Sequence, residues 1–281
     1  MKQILVPYDF SNVAEHALDF ACQIADKSEG NILLLNVIEH PTADSFKTMG
    51  IQNVDPMEQL YIKKMYEQVQ EKLAEVVSKA KYTDDKIFTK IQLGNAFNTI
   101  IDQITEESVD LLIVGTEGAE GINEFFVGSN TEKIVRKAKC PVISVNEKVD
   151  MEPIEKIVFA SDFLNTDDFF IERVKSLQSM MGAQLNIVKI NTPASFTSTR
   201  HDLKQMNDFV EKYGIENYSI EIYNYKNEED GIIMYAEDTN ADMIALGTHQ
   251  RKGVGHFLAG SIAEDVVNHA SIPVWTAHLE D

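Results

Sequence analysis

The feature that most narrows the folds open to this chain is that it states one pattern twice. The apolar run Ile4-Leu5-Val6 ends at Pro7-Tyr8-Asp9-Phe10, and Ile157-Val158-Phe159 ends at Ala160-Ser161-Asp162-Phe163. Asp162 follows Asp9 by 153 residues, and Ile190 follows Val37 by the same offset. Farther on, Leu111 to Val114 stops at Gly115 and Met243 to Leu246 stops at Gly247, now 132 residues apart; Gly128-Ser129 falls on Gly260-Ser261 at that second offset. The second copy is therefore 21 residues shorter (153 − 132) between its second and fourth apolar runs.

Within each copy, short apolar runs alternate with helical patterns. In the first, Ile4–Val6, Ile32–Val37, Ile87–Leu93, Leu111–Val114 and Val142–Val145 read as buried strands. Four to eight apolar residues bounded by turn formers is the signature of a strand covered on both faces. Between them, Ala14, Ala17, Leu18, Ala21, Ile24 and Ala25 recur at three- and four-residue spacings, as do Met57, Tyr61, Met65, Val69, Leu73 and Val77; both stripes are expected to be core. Strand–helix alternation requires parallel pairing and right-handed crossovers. The expected fold is α/β, with two tandem, doubly wound, Rossmann-like domains over residues 1–147 and 153–281, joined by a polar link. In such sheets ligands bind beyond the carboxyl ends of the strands. Asp9, Val37 and Gly115 each stand at such an end.

Charge excludes two classes of partner. The formal net charge is −20, with 45 Asp and Glu against 25 Lys and Arg, spread over both halves. Such a field disfavours nucleic acid and anionic membrane surfaces. The opening MKQILVPYDF reaches Pro7 and Asp9 too early for a signal peptide, and no stretch has 18 consecutive apolar residues. The two cysteines, Cys22 and Cys140, are expected as buried thiols, which suits a cytoplasmic protein. No Cys/His spacing suggests a metal, and no catalytic residue is assigned.

The stretch after Leu111–Val114 carries the chemistry. Gly115, Gly118 and Gly128-Ser129 lead from a strand through a loop into a helix beginning near Asn130. Glycine lets the backbone approach a ligand, and a helix N-terminus favours an anion. Ser129 and Glu132 also form a Ser-x-x-Glu capping box, a role compatible with phosphate binding at neighbouring N–H groups. This Gly-x2-Gly-x9-Gly-Ser pattern after a buried strand resembles the nucleotide-binding signature of the universal stress protein family, and the resemblance spans both copies. It implies five-stranded sheets of order 3-2-1-4-5, with fifth strands pairing here inside one chain as an internal pseudo-dimer, and a further homodimer left open. It implies adenine contacts at Asp9 and Val37, flanked by Pro7 and Val114. Ribose and phosphates fall to Gly115, Gly118, Gly128, Ser129 and Asn130. The implied ligand is ATP or another adenine nucleotide, with or without Mg2+.

The second copy keeps Asp162, Ile190, Gly247, His249, Gly260 and Ser261 but has Gln250 where the second glycine belongs. It is expected to be the weaker site, although Arg251, Lys252 and His256 suit an anion better than Glu117, Glu120 and Glu124 of the first loop. The leading expectation is a stress-response regulator that binds ATP and acts on unidentified protein partners. Two alternatives stay open: a pseudo-dimeric scaffold acting through protein or small-anion contacts, and a slow ATPase or self-phosphorylating enzyme. No P-loop, dinucleotide fingerprint or Gly-x-Ser-x-Gly elbow occurs.

Overall fold

The computed structural model describes residues 2–39, 56–116, 129–146, 153–164, 167–249 and 259–279. The chain divides into two compact units, Met1–Gly115 and Thr116–Asp281.

The first unit holds strands β1 (Gln3–Pro7), β2 (Asn31–Ile38), β3 (Ile87–Leu93) and β4 (Leu111–Thr116), in the order β3-β2-β1-β4 and all parallel. Helix α1 (Asn12–Ser28) begins where the Ser11 side chain accepts from the Ala14 N–H. It ends at Glu29, in the left-handed conformation at φ 53°. Its buried stripe is rich in alanine (Ala14, Ala17, Ala21, Ala25), which lets the helix axis approach the sheet closely.

Helix α2 (Pro56–Lys79) departs from the expectation. Of the six stripe residues only Leu73 is buried; Met57 is 72% exposed and Tyr61 55%. The reason is length. A helix of 24 residues spans about 36 Å, whereas the seven-residue β3 beside it spans about 23 Å. The sheet is too short to bury the first turns of this helix, so the apolar period is right and its burial incomplete. Helix α3 (Ala96–Glu106), capped by the Asn95 side chain on the Asn98 N–H, leads into β4.

The second unit contains α4 (Ser129–Lys137), β5 (Val142–Asn146), β6 (Lys156–Ala160), α5 (Asp168–Met181), β7 (Gln184–Asn191), α6 (Thr199–Tyr213), β8 (Tyr218–Asn224), α7 (Glu228–Asp238), β9 (Met243–His249), α8 (Ala259–His269) and β10 (Val274–Leu279). Its strands run in the order β5-β10-β9-β6-β7-β8. Read as β8-β7-β6-β9-β10, the second copy shows the whole expected order 3-2-1-4-5. Its core is aromatic, with Phe159 ringed by Phe163, Phe170 and Phe209, and Phe170 against Trp275.

The two fifth strands, β5 and β10, pair antiparallel within this unit, with Ile143 opposite Trp275, Ser144 opposite Val274 and Val142 opposite Thr276. Ile143 and Trp275 are the same repeat position, 132 residues apart, so exchanging the copies maps this ladder onto itself. Helices α4 and α8 obey the same exchange. Arg136 donates from Nε and Nη2 to Glu264 at 2.8 and 2.7 Å. At the swapped positions, Asn268 Nδ2 donates to Glu132 Oε1 at 3.1 Å. A contact in which i meets j and the equivalents of j and i meet again is the mark of an isologous interface. Here the interface lies inside one chain.

Candidate functional site

In the first unit, strand register gathers the expected residues. Pro7 lies opposite Leu35 of β2, and Leu5 opposite Leu112 of β4. Carrying each register on by two residues sets Asp9 level with Val37 and Pro7 level with Val114, with Gly115 next in line. All stand at the carboxyl ends of three adjacent strands. Asp9 is exposed and Pro7, Val37 and Gly115 are half-buried, while Val114 is buried.

The turn carrying Asp9 is held from several directions. The Tyr8 N–H donates to the Leu35 carbonyl at 2.8 Å, extending the ladder. Asn36 Nδ2 donates to the Tyr8 carbonyl at 2.7 Å. Asp9 Oδ1 accepts from the Ser11 N–H at 3.0 Å and from Ser11 Oγ at 2.5 Å, and among the described residues Oδ2 has no partner. Between them Phe10 sits at φ +68°. Its ring meets Tyr8 edge-on and carries Lys72 Nζ 5.4 Å above it. A bulky residue at positive φ costs about 1–3 kcal/mol and persists only where its surroundings over-determine it.

The second copy repeats this turn with other fastenings. Phe163, at the repeat position of Phe10, has φ +58°. The Ser161 N–H bonds the Val188 carbonyl at 3.3 Å, and Asp162 Oδ1 accepts from the Leu164 N–H at 2.9 Å. Where the first copy has Asn36, the second has Lys189, which turns instead to Asp202 Oδ1 at 2.6 Å and Thr197 Oγ1 at 3.1 Å. Thr197 Oγ1 donates to the same Asp202 oxygen at 2.6 Å. Asp202 is fully buried, and burial alone would raise its carboxyl; the Lys189 and Thr197 hydrogen bonds and the Lys189 charge outweigh that and hold it below its ordinary value. The turn is fastened from α6, where Gln205 Nε2 donates to the Phe163 carbonyl at 2.9 Å.

The adenine-side residues differ between copies too. Ile190 is only 7% exposed, because α7 crowds it. A Cβ at Gly231 would stand 2.6 Å from Ile190 Cγ2 and 3.0 Å from Tyr225 Cβ. The glycines ending β4 and β9 are unequal as well. A Cβ at Gly115 would lie 2.4 Å from the Val13 carbonyl oxygen, so this glycine is required for α1 to lie against β4. At Gly247 the nearest atoms are the side-chain tips Leu279 Cδ1 at 3.1 Å and Phe170 Cζ at 3.3 Å. Beside it, Thr248 Oγ1 and His278 Nδ1 are 2.9 Å apart.

Gly118, Gly128 and the loop residues Gln250, Arg251, Lys252 and His256 lie outside the described residues. Ser129 and Asn130 form the first turn of α4, Gly260 and Ser261 that of α8, and His249 ends β9. Sequence reasoning passed over Asn36, Lys189, Asp202 and Gln205. The available signal was a polar residue inside an apolar strand run, LLLNVI and NIVKI, since a buried polar group needs a partner.

The profile of the universal stress protein family matches this chain twice, over residues 1–146 and 153–278. The chain belongs to that family. Universal stress protein Slr1230 of Synechocystis sp. is 24% identical across 98% of this chain and 99% of its own length. The universal stress protein SH1215 of Staphylococcus haemolyticus is 28% identical over 58% of this chain and 94% of its own length. The fold is shared with a universal stress protein from Archaeoglobus fulgidus, at a TM-score of 0.76, 22% identity and 98% coverage of both chains. As a tandem universal stress protein the chain has two family domains in sequence. Among the described residues no helix is long and apolar enough to cross a membrane, and no group of three or more His, Cys, Asp or Glu is placed to hold a metal ion.

Proposed function

We propose that this universal stress protein binds an adenine nucleotide, ATP in the first instance, through its first copy. The observation that carries the reading is the register that brings Asp9, Val37 and Gly115 to the carboxyl ends of β1, β2 and β4. The Asp9 Oδ2 acceptor suits the amino group of the base, and the half-buried Val37 gives its ring an apolar surface. Asp9 and Val37 would receive the adenosine end of the ligand. The phosphate end rests on the glycine pattern, with Gly118, Gly128, Ser129 and Asn130 supplying backbone N–H groups. In the second copy the crowding of Ile190 by α7 at Gly231 joins Gln250 as a reason for weaker binding. The protein then acts as a ligand-responsive regulator of partner proteins, with β5–β10 and α4–α8 coupling the last elements of the two copies.

Native mass spectrometry of protein purified without added nucleotide, followed by titration calorimetry with ATP with and without magnesium, tests the reading. One adenine nucleotide per chain is expected, lost in Gly128→Ala and weakened in Asp9→Ala. Absence of adenine-nucleotide binding, or binding indifferent to both substitutions, sinks it.

A further inference from the structure

From the contrast between the two copies, we infer that Asn36 is a positioning residue for the first-copy ligand site, acting through the Tyr8 carbonyl to aim Asp9; this rests on the adenine reading above. The Tyr8 carbonyl belongs to the peptide that joins Tyr8 to Asp9. Asn36 holds it from the neighbouring strand at 2.7 Å, and the residue is only 6% exposed. A carbonyl can only accept, so the nitrogen of the Asn36 amide is the atom that faces it. Val37, the next residue, turns to the opposite side of the sheet. One strand dipeptide thus supplies both the clamp on the acidic turn and the apolar contact for the base.

The second copy is the internal control. It keeps the positive-φ phenylalanine and the aspartate, but Lys189 at the Asn36 position points its amine to Asp202 and Thr197. The turn there is tied from α6 by Gln205, two peptides later, at the Phe163 carbonyl. The same strained turn is therefore held at a different carbonyl in each copy. Only in the first copy does the described clamp fall on the peptide of the aspartate itself. On that aspartate Oδ1 is occupied by Ser11, and Oδ2 has no partner among the described residues.

The test uses Asn36→Leu, which removes the donor at similar volume, Asn36→Asp, which keeps the shape without the N–H groups, and Asn36→His, which retains a ring N–H at the same reach. Loss of one buried neutral hydrogen bond at this point is expected to weaken both adenosine and ATP by about tenfold. Inorganic tripolyphosphate, read as a competitor of ATP, keeps its inhibition constant, and Asn36→His recovers most of the loss. Amide hydrogen exchange at Ser11 accelerates in Asn36→Leu and Asn36→Asp, with or without ligand. Wild-type adenosine and ATP affinities in both variants overturn the inference and leave the nucleotide reading standing. So does an equal loss for tripolyphosphate, which would mark a general loosening. A wild-type protein that binds no adenine nucleotide removes the reading and this inference together.

Discussion

Replacing Gly115 by alanine separates packing from ligand binding at the end of β4. The added Cβ would lie 2.4 Å from the Val13 carbonyl oxygen, 2.5 Å from its carbon and 2.8 Å from Val13 Cβ. Ordinary carbon–oxygen contacts begin near ~3.3 Å, so α1 and β4 must separate by about 1 Å. No substitution at Val13 relieves this, because two of the three contacts are backbone. Separation also loosens Ala14, Ala17, Leu18 and Ala21, which α1 buries. Overpacking of this kind costs about 1–3 kcal/mol, offset by about 0.4–1 kcal/mol from the stiffer unfolded chain that alanine provides. The net expectation is a loss of about 1–1.5 kcal/mol, or a Tm lower by roughly 4–8 °C for a unit of this size. Gly247→Ala is the matched control, since its neighbours are movable side-chain tips at 3.1 Å and beyond; its effect should stay within about 0.5 kcal/mol of zero. Urea titrations of both variants without nucleotide provide the measurement. Equal stability of Gly115→Ala and Gly247→Ala would refute the reasoning and return Gly115 to a purely ligand-binding role.

Four further expectations concern the second unit. Lys189→Met strands the Asp202 carboxylate in the interior and should cost about 3–5 kcal/mol, whereas Lys189→Met with Asp202→Leu should regain most of it; equal losses in the single and double variants would count against the pair. Because the Asp202 carboxyl is held below its ordinary 3.8, its contribution is complete above that pH and fades as pH falls through the folded-state value, an acid-limb loss that the double variant should lack in pH-dependent urea unfolding. His278 is pushed below its ordinary 6.5 by burial, against the opposing bond with Thr248, so stability should decline as pH falls from 7 through 6.5 toward the folded-state value; His278→Gln should flatten that slope, and an unchanged slope would exclude His278 as its source. A double-mutant cycle on Arg136 and Glu264 should give a coupling of about 0.5–1 kcal/mol that shrinks in 1 M salt; zero coupling at low salt would make the bidentate pair energetically silent.

Much of this architecture was legible because it is written in periodicity. A repeat at fixed offsets, apolar runs ending at turn formers and helical stripes between them depend on local geometry alone. They foretold the alternation of strands and helices and the parallel pairing; the strand order, which the second copy displays whole, and the intramolecular pairing of the fifth strands were implied by the family resemblance instead. Cys22 and Cys140 are both buried and are not joined in a disulfide, as expected of them from the sequence. The α2 stripe misled for a physical reason: period reports which face of a helix is apolar, while burial depends on how far the neighbouring sheet extends.

What the sequence by itself determined is therefore the α/β repeat, the strand-end positions of Asp9, Val37 and Gly115, and the glycine pattern that places the chain among universal stress proteins. The tertiary structure alone decided what those residues touch. Gly115 is demanded by the Val13 carbonyl, Asn36 holds the Tyr8 peptide while Lys189 turns to Asp202, and Ile190 is crowded by α7 at Gly231. Each such contact joins residues from different elements, and its distance is set by how helix and sheet pack. Local propensity carries no record of that distance, so two copies of one sequence pattern could arrive at the same strained turn by different fastenings.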